Sequence, residues 1–331
     1  MTSRRQVSIV DVANAAGVSK STVSRVLMEQ TGVSDAVRAK VREAADELGY
    51  VRDFRAHSLK QKSINVVPIL VRSVRLSFYG ELVADIQHEL ERFGLRAAIN
   101  TQEPFAAPER ALERMLEFRP QGVIVASGQI PIPHLEKMVG DIPVVQIGRS
   151  SDSKVVSSFS DDNSGTSFLA REIRRLGHRH VALLSAPPGL SESLLQRGIA
   201  YEAAFAAEGI EVTRVLLDDA YHPDFDHLHR LLDAVSVIVC PNDPILMEVW
   251  ETLSGWGLSV PQDVSLTGYD GIGQLSSPVL GITTWRQPLH EIAVAATAHL
   301  VTRLSDPSAD VEHREFRGSY LRGHTLGSIT L

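Results

Sequence analysis

The chain has 331 residues, 44% hydrophobic and 22% charged, which excludes a disordered or fibrous protein and points to two or three globular domains. No apolar run approaches the ~20 residues that span a bilayer, and the N-terminus has no apolar stretch of signal-peptide type, so a cytoplasmic protein without a membrane partner is expected. The net charge of −7 conceals an asymmetry: residues 1–62 hold 11 Lys and Arg against 7 Asp and Glu, and the remainder holds 22 against 33, the pattern of a basic nucleic-acid-binding module fused to an acidic body.

In chain order, Ile9, Val12, Ala13 and Ala16 recur at the spacing of one buried helical face. Gly17 follows where a tight turn needs positive φ, and Ser19 is placed to cap a second helix. In that helix Val23, Val26 and Leu27 form the inward stripe, with Lys20, Ser21, Ser24 and Arg25 opposite. A third helix is expected from a Ser34 cap, burying Val37, Val41, Ala44 and Leu48 and stopping at Gly49. Residues 1–50 thus read as an all-α helix-turn-helix domain. A Lys/Ser/Arg face is by itself a solvated surface. Here Ala13, Gly17 and Val23 fall at the offsets of a DNA-binding helix-turn-helix, and an arginine can donate two hydrogen bonds to the O6/N7 edge of guanine.

The stretch "VSIVDVANAAGVSKSTVSRVLMEQTGVSDAVRAKVREAADELGY", Val7 to Tyr50, resembles the headpiece of the lactose/galactose repressor (LacI/GalR) family. The resemblance implies double-stranded DNA as partner, with Lys20, Ser21 and Arg25 reading bases in the major groove and Ser8, Ser19 and Ser24 completing the contact surface. The next segment, "VRDFRAHSLKQKS", residues 51–63, resembles the family's hinge helix, whose leucine wedges into the minor groove; Leu59 is the matching residue. Alone the segment is too short for a stable helix and should order only on DNA and against its twin; without DNA it is a linker. Arg52 and Asp53 depart from the usual proline and asparagine.

From residue 64, "INVVPILV", "LRAAIN", "QGVIVAS" and "IPVVQIG" alternate with helix-like stretches at 79–93, 107–118 and 133–139. After "SDDNSGTSFLAREIRRLGH" the series restarts with "HVALLS", "VTRVLLD", "VSVIVC" and "VSLTGYD". Such alternation predicts two α/β lobes with parallel sheets and a ligand between them at the strand carboxyl ends. Cys240, the single cysteine, excludes an internal disulfide and reads as a small core residue at a strand end.

The resemblance extends here, through "RRLGHRHVALL", "QRGIAYEAAFAAEGI", "CPNDPILMEVWETLSGWGLSVPQDVSLTGYDGI" and "ITTWRQP", to the two-lobed type I periplasmic-binding-protein-like effector domain of the same family. It implies three strand crossings, placed near Asp161, Thr284 and Ser319. The N-lobe would then comprise about 64–160 and 286–318, and the C-lobe about 162–284 and 320–331. It also implies an effector set: Arg197 in "RGIAY", where Ala200 replaces a glycine; Asn242 and Asp243 in "ND"; Asp270 in "GYDG"; Arg149 in "IGRSSD"; Tyr221 as a stacking aromatic; and Phe78 with Tyr79. Where relatives read "VPD-x-x-NPFF" this chain reads "VRSVRLSFY". Arg72 and Arg75 there either join Arg149 and Arg197 in an anion-friendly cleft or face solvent on a loop.

Catalytic readings fail on spacing. His222, His227 and His229 lack the H-E-x-x-H arrangement of a metal helix, and "GIGQ" and "GLSES" lack the residues of a phosphate loop or nucleophile elbow. No catalytic residue, metal or cofactor is expected, and the chain is read as a non-enzyme. A transport-type receptor of the same fold would call for a secretion signal. The C-terminal segment forms no heptad helix for tetramer assembly. The expectation is a homodimeric repressor of a palindromic operator, controlled by a sugar, sugar phosphate or related metabolite.

Overall fold

Ser8 opens the first helix of the chain, α1 (Ile9–Ala16), with a capping box: Asp11 N donates to Ser8 Oγ at 3.3 Å and Ser8 N to Asp11 Oδ2 at 2.8 Å. Two otherwise orphaned amides are thereby satisfied. Gly17 ends α1 at φ 64°, a conformation that costs a residue with a Cβ about 1 kcal/mol. The computed structural model describes residues 7–27, 31–48, 50, 65–102 and 108–329, and they belong to two units, Met1–Ile64 and Asn65–Leu331. Leu59, with the rest of 51–63, and Gly49 lie outside the described residues.

In the first unit, α2 (Lys20–Leu27) and α3 (Asp35–Glu47) complete three helices around Val12, Ala13, Val23, Val26, Val41, Ala44 and Ala45. The expected stripe on α3 needs one correction. Leu48 is 38% exposed, because the chain turns after Glu47. Tyr50 N bonds back to Ala45 O at 2.8 Å, and Tyr50 packs on this core. Ser34 holds the N-cap position of α3 without a side-chain hydrogen bond.

The second unit carries two six-stranded sheets. Its first lobe runs β1 (Val66–Val71), α4 (Ser77–Arg92), β2 (Arg96–Thr101), α5 (Pro108–Glu117), β3 (Val123–Ala126), α6 (Ile132–Val139), β4 (Val144–Ile147) and β5 (Val156–Asp161). The second lobe runs α7 (Ser164–Arg175), β6 (His180–Ser185), α8 (Glu192–Ala207), β7 (Glu211–Leu216), α9 (Phe225–Leu231), β8 (Val237–Val239), α10 (Asp243–Gly255), β9 (Ser265–Asp270) and β10 (Thr284–Arg286). Then α11 (Leu289–Ser305) and β11 (His313–Phe316) return to the first lobe, and β12 (Ser319–Leu321) to the second. The orders are β11-β5-β4-β3-β1-β2 and β12-β10-β9-β8-β6-β7, every pairing parallel except β10 with β12.

Apolar strands buried on both sides explain the continuous hydrophobic runs. On β1, Val67, Ile69 and Val71 enter one core and Leu70 the core on the other face. On β6, Ala182 and Leu184 face one core, Val181 and Leu183 the other. Cys240 is fully buried beyond β8, and burial pushes its thiol up.

Four strands carried no apolar run and were not among the expected ones: β5, β10, β11 and β12. Serine holds three of the six positions of β5, "VSSFSD", yet every residue of it is buried. Ser157 Oγ meets His299 Nε2 and Ser158 Oγ meets His313 Nδ1, both at 2.8 Å, so hydrogen bonds from distant elements make that burial tolerable.

The lobes are joined where β5 leads into α7, where β10 leads into α11, and at Arg317–Gly318. The second joint falls two residues beyond Thr284, since Thr284, Trp285 and Arg286 all pair with β9. At the first, a Cβ on Gly165 would lie 2.3 Å from Trp285 Cγ. Replacing Gly165 by Ala is therefore expected to cost about 1–3 kcal/mol through overpacking. Gly255→Ala, at the end of α10 in open space, should be neutral or stabilise by up to ~1 kcal/mol; urea midpoints of the two variants check the contrast.

Candidate functional site

On the first unit, Lys20, Ser21 and Arg25 are exposed on one side of α2 and Ser24 is half-buried there, while Val23 and Val26 are fully buried on the other. Among the described residues neither Lys20 nor Arg25 pairs with an acid, which leaves both cations available to a polyanion. Ser19 caps α2: its Oγ accepts from Thr22 N at 3.1 Å and lies 2.8 Å from the hydroxyls of Ser21 and Thr22. Ser8 Oγ is engaged by Asp11. Both serines therefore set where a helix begins.

On the second unit, the carboxyl ends of the two sheets face a shared cleft. Arg72 after β1, Phe78 and Tyr79 on α4, Ser127 and Gly128 after β3, and Gly148 after β4 line it from the first lobe. Ser191, Ser193, Arg197, Asn242 and Asp270 line it from the second, and Gln287 from the second joint. The cleft widens into a mouth bordered by Arg75, Gln129, Tyr221, His222 and Glu248.

Arg197 is 6% exposed. Its Nη1 donates to Pro241 O at 2.7 Å and lies 3.7 Å from Asp270 Oδ1, and the guanidinium sits 3.9 Å over the Tyr269 ring. Its Nε is buried without a partner among the described residues. Asp270 ends β9 at φ 117°, a strained backbone of the kind that clusters at functional sites. Gln287 Nε2 donates to its Oδ1 at 2.6 Å. Burial pushes this carboxyl up to about 6, against the pull of Arg197. Burial also raises the Tyr79 phenol, whose surroundings include Arg72, Tyr221, Asp270 and Arg197. Asn242 Oδ1 caps α10 by accepting from Ile245 N at 2.9 Å.

Two expected residues do not line the cleft. Gly148 turns the chain at φ 93°, and Arg149 beyond it is 6% exposed, its Nη2 donating to Ile130 O. Desolvation lowers the pKa of that guanidinium. Asp243 is 1% exposed beneath the cleft floor. It accepts from Thr284 Oγ1 at 2.6 Å and from Gly271 N at 2.7 Å, and burial pushes it up to about 8. Arg75 and Tyr221 stand at the mouth rather than inside, and Arg72 lies 4.0 Å over the Tyr221 ring. Sequence reasoning gave no role to Ser127, Ser191, Ser193 or Gln287. Single small polar residues at strand and helix ends leave no periodic signal; Gln287 stood inside "ITTWRQP" unremarked.

Contacts between the lobes flank the cleft. Gln129 Nε2 donates to Tyr221 Oη at 3.1 Å, Glu192 N donates to Gly128 O at 2.9 Å, and Tyr269 Oη donates to Asp161 Oδ2.

Family models match residues 8–53 as "Bacterial regulatory proteins, lacI family" and residues 170–325 as "Periplasmic binding protein-like domain". The chain belongs to the LacI family. This LacI-family chain is 29% identical to the ribose operon repressor of Escherichia coli K12, over 90% of its own length and 93% of the relative's. It is 28% identical to the PurR repressor of Vibrio campbellii, over 90% and 92%. Among solved structures, a LacI-family regulator from Silicibacter pomeroyi matches with a TM-score of 0.77 at 26% identity, over 97% of this chain and 99% of that one. The lac repressor dimer bound to operator and the anti-inducer ONPF shares the fold, with a TM-score of 0.81 at 22% identity over 98% and 100%.

A buried acid with a raised pKa stabilises the fold fully below the ordinary carboxylate range and loses that contribution as pH rises through its folded value. For Asp243 the loss runs from about 4 to about 8. In Asp243→Asn the amide stays neutral, donating to Thr284 Oγ1 and accepting from Gly271 N. The fall in urea midpoint between pH 5 and pH 8.5 is expected to be shallower in this variant than in the parent protein.

Proposed function

We propose that this LacI-family protein is a sequence-specific transcriptional repressor, cytoplasmic and without catalytic activity, that binds a palindromic operator as a homodimer. The observation that carries the reading is the combination of an exposed Lys20/Ser21/Arg25 face, its two cations without an acidic partner among the described residues, on a three-helix unit with a buried, arginine-bearing cleft between two α/β lobes. Residues 1–50 serve as the DNA-binding domain, 51–63 as hinge, and 64–331 as effector-binding and dimerisation domain. In the hinge, Leu59 is assigned the minor-groove wedge that kinks the operator. Repressors of the ribose operon and of PurR type among the relatives, and an operator-bound dimer among the fold neighbours, support this assignment.

Lys20, Ser21 and Arg25 are assigned base contacts, with Ser24, Ser19 and Ser8 contacting the flanking phosphates and sugars. The effector, a sugar or sugar-derived metabolite, occupies the cleft against Arg197, Asp270, Asn242, Phe78 and Tyr79, with Arg75 and Tyr221 at its entrance. Its differential affinity for the lobe arrangements shifts operator affinity.

Arg25→Ala tests the reading with an operator selected from random DNA. Fluorescence anisotropy should show a loss of specific affinity worth about 1–3 kcal/mol, with the discrimination against unrelated DNA reduced accordingly. Because Arg25 is exposed, the thermal midpoint should stay put. Unchanged discrimination would remove α2 as the reading helix.

A further inference from the structure

We propose that the effector carries a compact anionic group, a phosphate ester or a carboxylate, held between Arg72 and Arg197; this rests on the repressor reading and specifies its ligand. Two guanidiniums, Arg72 and Arg197, line the cleft with a single carboxylate, Asp270. Oδ1 of that carboxylate is already taken by Gln287 Nε2 at 2.6 Å.

The donors, by contrast, remain open. Arg197 spends Nη1 on Pro241 O and keeps a buried Nε without a partner. Arg72 places its Cζ 4.0 Å from the Tyr221 ring centre and forms no ion pair among the described residues, which leaves its planar fork of N–H groups for a ligand. Ser127 Oγ accepts from Gln102 Nε2 at 2.6 Å, and Ser191 Oγ accepts from Leu194 N at 3.5 Å, so each hydroxyl hydrogen is free to donate. Asn242 commits its oxygen to Ile245 N and keeps its NH₂.

A neutral polyol brings an O–H donor with every hydroxyl and needs protein acceptors to receive them. A phosphate dianion or carboxylate brings acceptors alone, which suits a donor-rich site and two guanidiniums capable of bidentate contact. Arg72 and Arg197 come from opposite lobes, and Tyr79 lies within the electrostatic reach of both. An anion held by both arginines therefore fastens the lobes to one another through charge-assisted hydrogen bonds. Leu76, Phe78, Ile147, Leu194 and Pro244 supply the apolar remainder of the lining, which suits a ring or short carbon chain attached to the anionic head.

The test is isothermal titration of the full chain with matched probes: ribose and ribose 5-phosphate, glucose and glucose 6-phosphate, and gluconate as the carboxylate arm. At least one anionic probe should bind 100-fold or more tightly than its neutral parent, and whether the phosphates or gluconate do so distinguishes the two head groups. Arg72→Gln should weaken that probe 10- to 100-fold and weaken its neutral parent by much less, so that the anionic preference falls at least fivefold. Arg72→Lys, which keeps the charge and loses the fork, should retain the preference at intermediate affinity and serves if the glutamine variant is unstable.

A neutral sugar binding as tightly as its anionic partner, anionic affinity unmoved in both variants, or no binding by any anionic probe would overturn the proposal. The repressor reading fails separately, by the ligand-free chain showing no preference for any selected DNA. Specific DNA binding with a silent anionic series discards only the ligand class.

Discussion

Two mainly parallel sheets joined at three places present the carboxyl ends of their parallel strands to a shared cleft, and the chemistry of the second unit follows from that constraint. Strand ends and the starts of the following helices carry backbone groups that the sheet hydrogen bonds do not satisfy, so polar side chains collect there. Ser127, Ser191 and Asn242 are residues of this kind, each accepting a hydrogen bond that fixes a local turn or cap. The same positions face a potential ligand. Local folding and recognition thus draw on one set of atoms, and the groups left over after folding, chiefly N–H and O–H donors, set what the cleft can hold.

The joints between lobes hold a group of buried ionisable side chains. Asp161, Asp243, Asp270 and Arg197 are each at most 9% exposed, and desolvation raises all three acids. Burying ionisable groups is costly unless they are hydrogen-bonded. Here every acid has a donor: Tyr269 and the Asn163 amide for Asp161, Thr284 and Gly271 for Asp243, Gln287 for Asp270. Tyr269 belongs to the second sheet and Asp161 to the first, so this bond ties the sheets together beside the first joint. Apolar replacements would gain burial energy and give up directional contacts that select one lobe arrangement. Because Arg197 belongs both to this buried group and to the cleft lining, a ligand that engages its guanidinium acts on the joint as well as on the cleft.

The first unit solves a different problem. Three short helices bury only a small core, so nearly every apolar side chain must serve it, and α2 gives it Val23 and Val26, with Leu27 packed against them. The opposite face is then released from any structural duty. Lys20, Ser21 and Arg25 occupy it without acidic neighbours among the described residues, which is the condition for engaging phosphates and guanine edges. Ser8 and Ser19 show where duties overlap: each is a helix cap in the free protein, and hydroxyls and amides at helix starts are also suited to phosphate.

Much of this was legible in the chain itself. Periodicity placed α1, α2 and α3, and short apolar runs located eight of the strands, because burial on one face or on both leaves a repeat in one dimension. Charge segregation separated the basic front from the acidic remainder. Tertiary structure decided the rest. Burial of β5 depends on histidines more than 140 residues away in sequence, and no window over "VSSFSD" contains them. Leu48 left the core because a turn after Glu47 brought Tyr50 in. Positive φ at Gly148 carried Arg149 out of the cleft, and the step from a cap to the first helical residue put Asn242 at its surface and Asp243 under its floor. Composition and spacing determine which elements form and which residue types gather at their ends; only the packed lobes decide which of those side chains point at a ligand, since that depends on single backbone angles and on partners from distant segments.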